Sequence, residues 1–358
     1  MRILLLSRYG YLGASSRVRF LQYLPYFQRA GWVIDASPLF SNEYIRALYA
    51  EAGRLKPVVL GYIQRALCLA RAGSFNVVII EKELFPFFPA WFERTLAIAG
   101  VPYIVDYDDA LFHRYDLHSR SLVRRLFDRK IDAVMRHSDL VIAGNDYLAS
   151  RAHEAGATRV EVIPTVVDTR RYLPDKQRNN NPLVVGWIGT PQTSRYLLPL
   201  TGIFARLKEE LGVRFVAVGA RHEDFAGTVV EVRPWSEKAE VSLIQQFDIG
   251  IMPLEDSPWE RGKCGYKLIQ YMACGVPVVA SPVGVNKQIV NSHDLGRLAK
   301  TPAEWYESLF LLLSKESSVR AEMGQRCRSR VEAWYSLQVQ APRLCAAIAS
   351  VAQKDGAR

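Results

Sequence analysis

The run Gly262-Lys263-Cys264-Gly265-Tyr266-Lys267-Leu268-Ile269-Gln270-Tyr271-Met272-Ala273 holds the residues best suited to chemistry in this chain. Gly262 and Gly265 bracket a short loop whose backbone can approach a ligand closely. Tyr266 to Ala273 reads as a short helix, so the loop opens onto a helix N-terminus. Such an end presents free N–H donors and partial positive charge, which suits a phosphate. Lys263 and Lys267, four apart, add point charges that one continuous turn would set on one face. The plain alternative is a helix, turn and strand with two solvated lysines.

A second glycine-bearing basic turn is Gly189-Thr190-Pro191-Gln192-Thr193-Ser194-Arg195, after an apolar run. Its bland reading is an exposed arginine in the first turn of a helix. Near the start, Tyr9-Gly10-Tyr11-Leu12-Gly13-Ala14-Ser15-Ser16-Arg17 follows another apolar run and opens a helix. Gly13 through Arg17 offer N–H and guanidinium donors to phosphates or to an anionic acceptor. The spacing is neither GxGxxG nor a P-loop, so an ordinary strand-to-helix turn competes. Asp106-Tyr107-Asp108-Asp109 admits three readings: a carboxylate site for a divalent ion, acceptor binding or general-base work by Asp108 with His113 nearby, or N-capping of the next turn by Asp108 or Asp109.

These loops need elements to hold them. Short apolar runs at Ile3–Leu6, Val33–Ser37, Val77–Ile80, Tyr103–Val105, Leu140–Ala143 and Glu161–Ile163 predict six strands. After a break, Val184–Ile188, Arg214–Val218, Val229–Val232, Ile249–Met252 and Val276–Ala280 predict five more. Helical patterns lie between most of them, and this βαβα order argues for parallel sheets covered by helices. The segment 171–182 is polar and proline-bracketed with three asparagines in a row, which is linker chemistry. The expected organisation is an acceptor domain over 1–170, a linker over 171–182 and a donor domain over 183–335. A C-terminal helix over 336–358 is expected to pack back on the first domain. Ligands of open α/β sheets bind at the carboxyl ends of the strands, so the expected site is a cleft between the two units.

Composition sets the outer limits. A chain of 358 residues exceeds one comfortable core, and 49% apolar with 23% charged residues is ordinary for a globular protein. The first apolar run is too short for a signal peptide, and no apolar stretch is long enough to span a bilayer, so a cytoplasmic protein is expected. Five cysteines, at 68, 264, 274, 327 and 345, are odd in number and not spaced as metal ligands. Net charge is +10, with 25 Lys and Arg against 18 Asp and Glu up to Asn181, so the first half is the more basic. Basic balance favours anionic partners, but no helix-turn-helix, zinc or RRM signature points to nucleic acid. The segment 120–136 reads as one basic amphipathic helix with apolar residues 122, 123, 126, 127, 131, 134 and 135 on one face. Its Arg120, Arg124, Arg125, Arg129, Lys130 and Arg136 could meet an anionic inner leaflet, or it simply packs on its own sheet with a solvated basic face.

The loop and helix above, followed by Cys274-Gly275-Val276-Pro277-Val278-Val279-Ala280 and the turn Ser281-Pro282-Val283-Gly284-Val285, resemble the donor-site signature of glycosyltransferase family 4. The resemblance extends through Val162-Ile163-Pro164-Thr165, Val185-Gly186-Trp187-Ile188-Gly189-Thr190, Phe247-Asp248-Ile249-Gly250 and Trp334-Tyr335-Ser336, covering about residues 140–340. It implies an α/β GT-B fold, two Rossmann-like domains with parallel sheets facing across a cleft. It also implies transfer from a nucleotide-diphosphate sugar to a lipid-linked or polysaccharide acceptor, with retention and with neither metal nor other cofactor. Arg195 would take the family's lysine position on the diphosphate beside Lys267, and Thr190 the arginine position. The family's two glutamates fall on Gly262 and Gln270; Gln270 can still accept from a ribose, while Glu260, or else Glu255 or Asp256, would stand in for the first. Lys263, Gly265 and Tyr266 complete the expected donor loop. A sugar-nucleotide epimerase of the same fold and a catalytically silent homologue are the rival readings.

Overall fold

The computed structural model describes residues 1–49, 53, 55–175 and 178–353, so Lys176 and Gln177 of the expected linker lie outside the described residues. The chain divides into two compact units: 1–165 with 261–264 and 340–358, and 166–260 with 265–339.

The sheet of the first unit comprises β1 (Arg2–Leu6), β2 (Val33–Ala36), β3 (Val77–Glu81), β4 (Tyr103–Tyr107), β5 (Leu140–Ala143) and β6 (Val160–Val162). All its pairings are parallel, in the order β2-β1-β3-β4-β5-β6. Central strands such as Val77–Glu81 are buried along their whole length, which is why they read as continuous apolar runs and not as alternating ones. Residues of the final helix, Leu337–Ala352, join this unit from Gln340 onward: Arg343 donates to Val162 O at 3.3 Å, and Ser350 Oγ accepts from Arg159 at 3.0 Å.

The second unit holds β7 (Val184–Ile188), β8 (Arg214–Val218), β9 (Val230–Arg233), β10 (Ile249–Met252), β11 (Val278–Ala280) and β12 (Gly296–Leu298). Their order is β12-β11-β10-β7-β8-β9, again parallel throughout. The order reverses between β7 and β10, so the loops leaving these two strands splay apart and open a crevice at their carboxyl ends. In the first unit the corresponding place lies between β1 and β3.

Two expectations need correction. The strand β12 has no counterpart in the sequence reading, because three residues with Arg297 at the centre give no apolar run. The segment 120–136 is not one helix but two, Ser121–Phe127 and Lys130–His137, interrupted where Asp128 Oδ1 accepts from the N–H of Arg129 at 2.8 Å. The seven apolar residues therefore do not share a face: Leu122 and Leu126 are exposed, whereas Ile131, Val134 and Met135 are fully buried.

Candidate functional site

In the second unit the loop after β7 and the helix Tyr266–Ala273 converge. Lys267 Nζ lies 5.5 Å from the centroid of the Trp187 ring, and a β-carbon at Gly189 would stand 2.9 Å from Lys267 Cε. Gly189 is therefore the gap through which the lysine stem passes. Gly265 caps this helix at φ +65, and a β-carbon there would run into Ile289, so both backbone and space demand glycine. That left-handed residue also breaks the turn, so Lys263 and Lys267 are not successive positions of one helix face, and the expected pairing fails. Lys263 belongs instead with the first unit, its carbonyl accepting from Asn145 Nδ2 at 3.2 Å.

Thr190 caps the ten-residue 3-10 segment Pro191–Leu200: its N–H donates to Thr193 Oγ1 at 3.1 Å, and Thr193 N–H returns a bond to Thr190 O at 2.9 Å. This segment presents Arg195, 61% exposed, with its guanidinium 5.0 Å over the ring of Tyr196 and donating to Tyr196 OH at 3.3 Å. Tyr196 OH in turn donates to Glu260, which also accepts from Ser257 Oγ and stands 3.8 Å from Arg195. Glu260 is buried, and burial of the Tyr196 phenol, with the Glu260 carboxylate beside it, pushes that phenol up to about 12. Its carboxylate is thus engaged in holding Tyr196 and Arg195. Glu255 and Asp256 are exposed on the preceding loop.

Gln270 is buried and donates through Nε2 to Tyr172 OH at 3.0 Å. Tyr172 OH bonds Glu240 and lies 3.4 Å from Tyr266 OH, while Glu240 accepts from Trp235 Nε1 at 2.9 Å. One polar network thus joins Gln270 and Tyr266, two residues the sequence singled out, to Glu240 and Trp235, two it did not.

In the first unit the switch point between β1 and β3 is filled by charge. Asp106 is spent on Arg19, with Oδ1 and Oδ2 at 3.0 and 2.5 Å. Lys82, at φ +69 just past β3, sets its ammonium 2.8 Å from Asp108 and 2.5 Å from Asp109. A left-handed lysine costs strain, of the kind kept at functional positions. Burial opposes the charge on Asp108, but Lys82, Arg19 and Ser15 hold its carboxyl down at about 2. Asp108 therefore stays ionised at neutral pH, and a general base with so low a pKa is a weak one. Neither Asp108 nor Asp109 caps a helix: the next one, His113–Asp116, follows Phe112. Glu81 accepts from Ser15, Ser16 and the N–H of Arg8 at 3.0, 2.5 and 2.7 Å. Arg17 bends back over its own loop, donating to Tyr11 O at 3.2 Å, and Gly13 N-caps the helix Ala14–Arg19 with no room for a side chain beside Tyr9.

Two family models match the chain, "Glycosyl transferase 4-like domain" over residues 17–165 and "Glycosyl transferases group 1" over residues 181–315. Together they cover most of both units. The chain is a glycosyltransferase of the family 4 type. Its fold, GT-B, is that of sucrose-phosphate synthase from Thermosynechococcus elongatus, with a TM-score of 0.73 at 14% identity over 98% of this chain and 99% of that one. A glycosyltransferase from Rickettsia africae matches at TM-score 0.71 and 12% identity, covering 98% of each chain. The Anabaena protein HepE, solved with UDP and glucose, matches at 0.67 and 16%, over 98% of this chain and all of that one. No curated protein sequence matches the chain.

In this glycosyltransferase the structure brings together Gly189 with Lys267, Arg195 with Glu260, and Gln270 with Tyr266. It leaves Lys263 in the other unit. Sequence reasoning missed Trp187, Tyr196, Glu240, Trp235 and Lys82. Tyr196, next to an arginine already singled out, and Trp187, two residues before Gly189, carried a local signal; Glu240 and Lys82 meet Tyr172, Asp108 and Asp109 across gaps of tens of residues in sequence.

Proposed function

We propose that this glycosyltransferase moves a sugar from a nucleoside diphosphate sugar to a hydroxyl acceptor, with retention and without a metal ion or other cofactor. The observation that carries the donor half is Lys267 laid against Gly189 and Trp187 at the switch point of the second sheet. The leaving diphosphate gains negative charge in the transition state, and fixed cations and N–H donors aimed at it lower the barrier. Lys267 and the first amides of its helix take the diphosphate, with Arg195 as a second cation. Gln270 Oε1 accepts from the ribose. A uridine base is the first to test, because the similar Anabaena structures hold UDP and UDP-glucose.

The acceptor is lipid-linked or a growing polysaccharide, and the enzyme works in bacterial cell-surface glycan assembly, lipopolysaccharide included, at the cytoplasmic face of the membrane. Supporting this is the basic first half, which suits peripheral attachment to an anionic surface; among the described residues no helix is long and apolar enough to cross a bilayer. Calorimetric titration with UDP and UDP-sugars, wild type against Lys267→Ala, tests the donor site. Unchanged affinity in the variant overturns it. The anomeric configuration of the product, read by NMR, tests retention.

One observation favours a second reading, binding without turnover: Gly262 offers no side chain and Glu260 is committed to Tyr196 and Ser257. Tight donor binding with neither transfer nor donor hydrolysis in a single-turnover assay would establish it.

A further inference from the structure

The segment Phe85-Pro86-Phe87-Phe88-Pro89-Ala90-Trp91-Phe92 packs five aromatic residues into eight positions, yet only part of it is core. Phe85 is buried against Phe92 and Tyr62, at ring separations of 4.7 and 5.3 Å. Phe88 and Trp91 are instead 47% and 67% exposed, and Phe87 beside them is also exposed. Phe87 sits at φ +58, which a bulky residue adopts only when its surroundings impose it.

The imposing structure is a buried post. Lys130, which the sequence alone would set among lipid-facing charges, is inside, donating to Glu83 Oε2 at 2.5 Å and to Phe85 O at 2.6 Å. Tyr115 OH donates to Glu83 at 2.7 Å and accepts from the N–H of Phe87 at 3.2 Å. Burial works against the charge of Glu83, but Lys130 and Arg8 hold its carboxyl below the usual range. The aromatic loop is thus braced from behind while its rings face water.

Around those rings stand arginines. Arg114 lies 4.8 Å from the centroid of the Phe87 ring, and the His118 ring packs edge-on to the same phenyl at 6.4 Å. Arg124 donates to the carbonyls of His118 and Ser119, which ties the short helix Ser121–Phe127 to this place. That helix exposes Leu122 and Leu126 beside Arg120, Arg124 and Arg125. The nearby acids are committed: Asp116 to His113 and Arg151, Asp128 to a backbone N–H.

We infer that this face of the first unit is a bilayer-docking surface, in which Phe87, Phe88, Trp91, Leu122 and Leu126 enter an anionic lipid interface under a ring of arginines. Apolar rings held in water beside Arg114, Arg120, Arg124 and Arg125, which outnumber the neighbouring Asp116 and Asp128, match the acyl boundary and headgroups of such a bilayer together. A second copy of the chain would bring the same arginines face to face, so charge complementarity selects lipid over self-association. The inference rests on the peripheral-attachment part of the proposed function and not on the donor site. It differs from a purely electrostatic attachment in giving a component that survives high salt.

The test is co-sedimentation with phosphatidylcholine vesicles, with and without phosphatidylglycerol, at low and high salt. Three proteins are compared: wild type, Phe88→Ser/Trp91→Ser, and Arg120→Gln/Arg124→Gln/Arg125→Gln. All substituted side chains are exposed, and circular dichroism confirms folding. Wild type should prefer anionic vesicles; the arginine variant should lose that preference by about tenfold or more. The aromatic variant should lose the binding that persists at high salt. Equal wild-type binding to both vesicle types, variants that bind like wild type, or a dimer abolished by the aromatic variant would each overturn it. UDP titration of the same three proteins reads the donor site independently, so failure of one does not imply failure of the other.

Discussion

Lys267 runs over the Trp187 ring and past the Cα of Gly189, so packing aims its ammonium before any ligand arrives. Removing it in Lys267→Ala should cost about 1.5–3 kcal/mol of transition-state stabilisation, the usual worth of a charge-assisted hydrogen bond. Steady-state kinetics should then show kcat/KM lower by roughly 10- to 150-fold; a loss under threefold would make Lys267 an ordinary surface lysine. Acid stability offers a second residue-level test. Asp108 titrates at about 2 in the folded protein against 3.8 for a free carboxyl, so its stabilising effect is complete above about pH 4 and lost as pH falls through 2. Lys82→Met leaves Asp108 and Asp109 without their ammonium, and breaking such a pair costs about 3–5 kcal/mol. That variant should fall short of wild type in stability above about pH 4, and the shortfall should shrink as pH falls towards 2, read by denaturant titration at each pH. At this scale the sequence told most about residues beside glycines. Glu260 could be named as the nearest carboxylate, but its commitment to Tyr196 and Ser257 was invisible, because only the turn of Pro191–Leu200 brings Tyr196 to it.

The helix Tyr266–Ala273 owes its starting point to Gly265. Gly265→Ala should destabilise the protein by about 1–2 kcal/mol for the left-handed backbone alone, with the Ile289 collision added. It should also weaken UDP binding, since the amides at the helix start would turn away. A denaturant titration beside a UDP titration checks both; a loss of stability with unchanged affinity would place the nucleotide elsewhere. Elements were legible wherever burial on both faces made a strand uniformly apolar, as at β1, β3, β5 and β7. They were illegible where a side chain competes with the backbone, as Asp128 does within 120–136, or where a strand has only three residues around an arginine.

The whole molecule makes one thermodynamic prediction. A nucleotide that binds only the folded chain at about 100 times its dissociation constant should add roughly 2.7 kcal/mol, a shift readable in a thermal melt. A chelator should leave both the shift and the activity in place, and restoration of lost activity by magnesium or manganese would count against metal independence. The fold class was legible because βαβα order leaves few alternatives, and so was the return of the final helix to the first unit, whereas the membership of 261–264 in that unit was not, since chain order and spatial grouping part company there. That discontinuity has a consequence for synthesis. The strands β1 to β6 leave the ribosome first, but Ala341, Leu344, Ile348 and Val351, buried on the final helix, follow only after the entire second unit. At about 5–20 residues per second, the first unit waits roughly 10–40 seconds for its last helix. During that interval the nascent chain exposes the apolar surface this helix later covers, which makes the half-finished protein a natural client for chaperones on the ribosome.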